Sequence, residues 1–154
     1  MAFIQKTKAA EIEIFEQPTA FGDNLALKQV TNQVDIPVMA DESIRSLKGA
    51  YRLSKTDASD MINIKIMKVG GLTEVQHINS VAKSAGMEVM VGCLDECSLG
   101  IAAGLHFALS SRNVEYADLD GHLDFSNDPL TELFQIEKGW MRPLGGVGLG
   151  EVSL

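Results

Sequence analysis

Short β-branched runs alternate with longer amphipathic stretches at a nearly constant period. No other feature of this 154-residue chain narrows its folding choices so far. The predicted strands are 12–15, 36–40, 61–67, 87–91 and 114–119. Residues 24–34, 43–55, 72–85 and 98–110 between them are predicted helices. In 72–85 the apolar residues Leu72, Val75, Ile78, Val81 and Ala82 share one helical face. Ser43 and Asp23 or Asn24 are the expected N-caps, and Gly86 closes the third helix as a C-cap glycine.

Repeated strand–helix–strand units imply parallel strands joined by right-handed crossovers. Ile36-Pro-Val-Met-Ala and Met87-Glu-Val-Met-Val are apolar on both faces, as strands covered by helices must be. Polar groups recur where these strands end: Glu16, Asp41, Lys65, Asp95 or Glu96, and Asp118 with Asp120. Parallel α/β architectures build their sites at that edge. No glycine-rich phosphate fingerprint follows the first strand, so barrel logic is favoured over the doubly wound sheet. The tail breaks the rhythm. It predicts a hairpin turning at Lys138-Gly139, then a glycine run, Gly145 to Gly150, expected as a close-packed terminal loop rather than a nucleotide site.

Composition excludes other classes. Thirteen basic against 21 acidic side chains leave a formal charge of −8, which repels phosphate backbones and argues against nucleic-acid binding. No apolar stretch approaches the roughly 20 residues that span a bilayer, so no membrane partner is expected. With no signal-peptide pattern at Met1 to Lys8, the expected location is the cytoplasm. Cys93 and Cys97 are too few for a disulfide framework or a four-cysteine zinc site, and read as small packed residues. His77, His106 and His122 have no partner pattern.

Three fragments make the pattern specific. Phe15-Glu16-Gln17-Pro18, Met39-Ala40-Asp41-Glu42-Ser43 and Asn63-Ile64-Lys65-Ile66-Met67-Lys68-Val69-Gly70-Gly71 stand in order at strand ends, with 25 residues from Glu16 to Asp41 and 24 from Asp41 to Lys65. Together they resemble the enolase superfamily in its muconate-lactonizing-enzyme subgroup. The fold this implies is α/β, a partial TIM barrel. It is the C-terminal half of an enolase-type (β/α)7β barrel, with about five parallel strands and covering helices. Residues 1–128 would form the half-barrel, and 129–154 a hairpin and tail packing on a capping domain.

The resemblance places Glu16 and Asp41 as two carboxylate ligands of Mg2+, a hard cation that takes about six oxygens. Lys65 matches the lysine that acts as acid or base on one face of the substrate carbon, with its basicity lowered by burial and the cation. Asp118-Leu119-Asp120 sets two carboxylates on one face of a strand. It resembles the Asp-x-Asp pair with which dipeptide epimerases of this subgroup hold the substrate's ammonium. Glu96 is a further candidate for hydrogen bonding within the site. Muconate or chloromuconate cycloisomerase and succinylbenzoate synthase halves are the alternatives, and an Asp-x-Asp pair argues against both. A complete barrel needs about 250 residues, so the expectation is half a site: an isomerase fragment, inactive alone, binding Mg2+ weakly or not at all. Its partner would be the missing N-terminal half or another copy of itself. A non-catalytic, oligomerising half-barrel is the remaining alternative. Taken singly, Glu16 and Asp41 read as ordinary helix-entry charges, and Asp118/Asp120 as an exposed loop pair.

Overall fold

The computed structural model describes residues 2–130 and 133–150. A helix of barely more than a turn, α1 (Ala2–Lys6), leads into β1 (Phe15–Glu16), α2 (Asn24–Thr31), β2 (Val38–Ala40) and α3 (Leu47–Thr56). There follow β3 (Met61–Lys65), α4 (Ile66–Val69), α5 (Leu72–Ser84), β4 (Glu88–Gly92), α6 (Ser98–Ser110) and β5 (Val114–Ala117). The five strands form one parallel sheet in chain order, β1-β2-β3-β4-β5. An antiparallel hairpin, β6 (Phe134–Glu137) and β7 (Trp140–Pro143), makes a second sheet.

Register divides the sheet into two faces. Val38, Ala40, Ile62, Ile64, Val89 and Val91 point outward and are buried with Leu27, Leu53, Val75, Ile78, Ile101 and Leu105 of the helices. Each buried Val, Leu or Ile side chain contributes about 1.5–3 kcal/mol, which makes this layer the main source of stability. The inward face carries a smaller methionine cluster, Met39, Met61 and Met90, with Ile14 packed on it. Two residues further along β1, β2 and β3, at Glu16, Asp41 and Asn63, that face turns polar. At the β4–β5 junction the register slips: Val89 faces Val114, but Met90 faces Tyr116.

The expected alternation is correct and several boundaries are not. Pairing of β1 begins only at Phe15, whose N–H bonds the Pro37 carbonyl, because this edge strand has one neighbour to hold it. The third run stops being a strand at Lys65. The chain turns helical at Ile66 and leaves through Gly70 and Gly71, at φ 102° and 119°, a conformation glycine adopts without strain. Ser43 is not the N-cap of α3; Ser46 is, its hydroxyl accepting the Gly49 N–H at 3.2 Å. Asp23 caps α2 as expected, and Gly86 follows α5 at φ 71°.

The hairpin turns at Lys138-Gly139, with both residues at positive φ as a two-residue hairpin loop requires. Leu133 and Phe134 join the outer core, so the tail is anchored on the half-barrel itself. Asp128 adds a second anchor: its carboxylate accepts the N–H of Ser98 at the start of α6. The glycine run is not close-packed. Residues 145–148 are exposed, Val147 at 95%, and Gly150 is where the run comes back against Leu133. Residues 131, 132 and 151–154, part of the predicted tail, lie outside the described residues. Among the described residues no helix is long and apolar enough to cross a membrane.

Candidate active site

Glu16, Asp41, Lys65, Asp118 and Asp120 all stand at the carboxyl ends of the parallel strands, on the face that carries the methionine cluster lower down. Asp41 is the centre of the arrangement. It is buried, at 6% exposure, directly after β2. Lys65 approaches its Oδ2 at 3.0 Å from the end of β3. Lys68, on α4, reaches the same carboxylate through Oδ1 and also donates to the Asp41 carbonyl at 2.7 Å.

Gln17 ties the two neighbouring motifs to each other. Its Oε1 accepts the Asp41 N–H at 2.9 Å and the Ser43 N–H at 3.3 Å, and its Nε2 donates to the Ser43 hydroxyl at 3.1 Å. The loop after β2 is therefore clamped from β1. Glu16 is fixed separately: Asn63, two residues before Lys65 on the same face of β3, donates its amide to Glu16 Oε1 at 2.9 Å. Asn63 is 1% exposed, and its own Oδ1 has no hydrogen-bond partner. A side chain on Gly92 would collide with that carboxamide, its Cβ 2.4 Å from Asn63 Oδ1, so the glycine of β4 makes room for it.

β5 ends at Ala117, so Asp118-Leu119-Asp120 lies in the loop after the strand rather than on it. Leu119 is buried against α6, where Gly104 gives it space, and both aspartates are exposed on the opposite side. A cavity of about 510 Å3 between the ends of β3, β4 and β5 is lined by Lys65, Met67, Cys93, Asp95, Asp118 and Asp120, among others. Glu96 is not among its lining residues. It is buried with one oxygen on the Leu94 N–H at 3.2 Å and the other where a Gly100 side chain would sit, so it shapes the rim rather than facing the cavity.

The charges divide the two lysines. Burial works to lower the Lys65 amine, but the hydrogen bond and charge of Asp41, helped by Glu16 and Glu42, outweigh it and hold Lys65 above the ordinary lysine value. The expectation of a lowered amine rested on burial, and here the neighbouring Asp41 carboxylate outweighs that burial. Lys68 goes the other way: burial pulls it below the ordinary value despite Asp41. The Cys93 thiol is pushed up by burial and accepts the Gly121 N–H, in keeping with a packing role.

The donor set suits a hard divalent cation. Its two carboxylates, Glu16 and Asp41, stand at the ends of adjacent strands and are the oxygen donors such a cation takes. The described residues contain no cluster of three or more His, Cys, Asp or Glu able to enclose a metal, so water or substrate would supply the other positions. Sequence reasoning missed Gln17, Asn63 and Lys68. The first two were legible, as part of a quoted motif and as the strand neighbour of Lys65 two residues away. Lys68 was hidden, since three positions along a strand would face the wrong way, and only the turn to helix at Ile66 brings it round.

Residues 1–152 match the family model described as enolase C-terminal domain-like. The chain is 44% identical over 117 residues to the L-Ala-D/L-Glu epimerase of Bacillus subtilis, covering 76% of this chain and 32% of that protein. It is 40% identical over 149 residues to the hydrophobic dipeptide epimerase of Enterococcus faecalis, covering 96% of this chain and 42% of that protein. Among solved structures, a substrate-liganded complex of the Bacillus subtilis L-Ala-D/L-Glu epimerase superposes with a TM-score of 0.91 at 38% identity, over 97% of this chain and 42% of that one. The Enterococcus faecalis dipeptide epimerase complexed with Mg and L-Leu-L-Tyr gives 0.89 at 40% identity, over 96% and 42%. The chain therefore spans less than half the length of these relatives.

Proposed function

We propose a function from the premise that this chain belongs to the enolase C-terminal domain-like family: it carries the half-site of a Mg2+-assisted dipeptide epimerase that lies on the last five barrel strands. Glu16 and Asp41 would hold the cation, which when bound supplies positive charge to the substrate carboxylate as the adjacent α-proton leaves. Lys65 is the acid–base group for one face of that carbon. Its amine is held protonated by Asp41, so it is set to donate a proton. It accepts one only after leaving that carboxylate. Asp118 and Asp120 receive the ammonium of a dipeptide across the cavity from Lys65, and Glu96 braces the Leu94–Asp95 rim.

A single observation carries this reading: Lys65 lines one cavity with both aspartates while its amine rests on Asp41. Residues 1–128 act as the half-barrel and 129–154 as the segment that meets a capping domain. The chain alone epimerises nothing, and its partner is the first half of the barrel. The test mixes this chain with a polypeptide supplying the first half of a related barrel and follows α-proton exchange of a dipeptide in D2O by NMR. Mg2+-dependent exchange with inversion at the α-carbon in the mixture is the expected result, with inversion absent from either part and from Lys65→Met. Inversion that survives Lys65→Met, or no exchange in the mixture, sinks the assignment. One feature favours a second reading. β1 and β5 each have a single neighbour, and such open edges invite pairing with another copy. A monodisperse monomer at high concentration by light scattering removes that reading.

A further inference from the structure

We propose that Lys68 is the positioning residue for the Asp41 carboxylate, a role that rests on the reading of Asp41 as a cation ligand. Its ammonium bonds Asp41 twice, at the main-chain carbonyl and at Oδ1. One donor group that holds a residue's backbone and side chain together closes a ring, and a closed ring leaves the side-chain torsions little freedom. Gln17 holds the N–H of the same residue at 2.9 Å. Asp41 is therefore fixed at its N–H, its carbonyl and one carboxylate oxygen. Oδ2 is the corner left for exchange, and in this structure the Lys65 amine occupies it at 3.0 Å.

The asymmetry between the two lysines follows from where they sit. Lys65 ends a strand, faces the 510 Å3 cavity and can swing away from Asp41 into it. Lys68 lies on α4, its side chain 13% exposed, and does not line that cavity. With Lys68 holding Oδ1, Oδ2 is the oxygen Asp41 would share with a divalent cation, and Lys65, which faces the cavity, is the amine that would give way. The same carboxylate thus serves as a rest for the acid–base amine and as a ligand, because a second amine keeps its orientation. Partners that orient metal ligands in this way typically contribute 10- to 100-fold to metal affinity.

The experiment uses the full chain with Mg2+ or Mn2+ alone. Lysine ammonium NMR signals are followed during Mg2+ addition, and Mn2+ binding is measured by electron paramagnetic resonance for wild type, Lys68→Met, Lys68→Arg and Glu16→Gln. Mg2+ is expected to move the Lys65 signal and leave that of Lys68. Lys68→Met is expected to weaken Mn2+ by about 10- to 100-fold, with Lys68→Arg, which keeps two donors, recovering most of it. Mn2+ affinity unchanged in Lys68→Met, or a Lys68 signal that moves while that of Lys65 stays, overturns the proposal. If Glu16→Gln binds Mn2+ like wild type, the ligand reading fails instead. Lys68 is then judged in metal-free protein by the Asp41 carboxylate carbon shift, and no change in Lys68→Met rejects its hold on Asp41. Circular dichroism of each variant separates these outcomes from unfolding.

Discussion

Replacing Asp41 by Asn removes one negative charge while keeping the shape of the side chain, and it leaves two ammonium groups facing a neutral amide. In the native chain Lys65 and Lys68 each bond this carboxylate, with side-chain exposures of 17% and 13% against 9% for Asp41. Hydrogen bonds to charged groups are worth about 1.5–3 kcal/mol each, and breaking a buried pair by removing one partner costs about 3–5 kcal/mol. Residual exposure of all three groups places this case near the lower bound, at about 3 kcal/mol. For a domain of this size, 1 kcal/mol moves Tm by about 2–4 °C, so Asp41→Asn is expected to melt about 6–12 °C lower. The diagnostic measurement is the double variant. Removing Lys68 as well, in Asp41→Asn/Lys68→Met, takes away the more buried of the two stranded ammonium groups. Calorimetry at pH 7.5 should show it recovering about 1–2 kcal/mol relative to Asp41→Asn. A single-variant Tm within about 2 °C of wild type, or a double variant that falls by the sum of the two single losses, refutes this description of the cluster.

The lysines also predict the alkaline limb of stability. Lys65 holds its proton more tightly folded than unfolded, so its contribution is full below about 10.5 and is lost as pH rises through its higher folded value. Lys68 has the opposite sign: its burial cost is relieved as pH rises from its lowered folded value toward 10.5. Urea unfolding from pH 9 to 12 should therefore show Lys65→Met losing the upper decline and Lys68→Met losing the lower rise. Equal slopes in all three proteins contradict both assignments. Gly121→Ala places a Cβ 2.0 Å from the Leu94 carbonyl oxygen, and backbone cannot swing aside as a side chain can, so a loss of about 3 kcal/mol is expected. Gly145→Ala, with nothing within 4 Å, should leave the urea midpoint unchanged, and equal effects at the two glycines disprove the packing reason. Ser46→Ala should cost about 1 kcal/mol as the loss of a true N-cap, seen as a lower Tm. An unchanged Tm for Ser46→Ala shows that the cap is dispensable.

Period and polarity made the fold legible. Strand runs apolar on both faces could only be covered by helices, and every strand-end acid or amine predicted from the alternation does stand at one end of the sheet. What stayed hidden were changes of local geometry that periodicity does not encode. The helical turn at Ile66 converts an i, i+3 lysine pair, useless on a strand, into two amines on one carboxylate. The Gln17 clamp moves the start of α3 from Ser43 to Leu47, because Ser43 is taken up by a tertiary bond before it can cap anything. Glu96 looked like a site residue by position alone, and the absence of a side chain at Gly100 decides where its carboxylate goes.

The placement of the two amines limits what this half of a site can do. Both lysines rise from β3 and α4 and meet the same carboxylate, and only Lys65 lines the cavity, so the pair does not offer amines to opposite sides of it. A base on one face can take an α-proton and return it to that face, which exchanges the proton with solvent and leaves the configuration as it was. Inversion needs a second donor across the plane of the carbon. Below the mouth the inward faces of β2, β3 and β4 carry Met39, Met61 and Met90, which can neither give nor take a proton, with Tyr116 beside Met90 on β5. If the proposed role of Lys65 is correct, a complex that restores substrate binding without a second lysine should exchange the α-proton with retention. Under the same proposal, a complex that inverts would draw its second proton donor from the strands that complete the barrel.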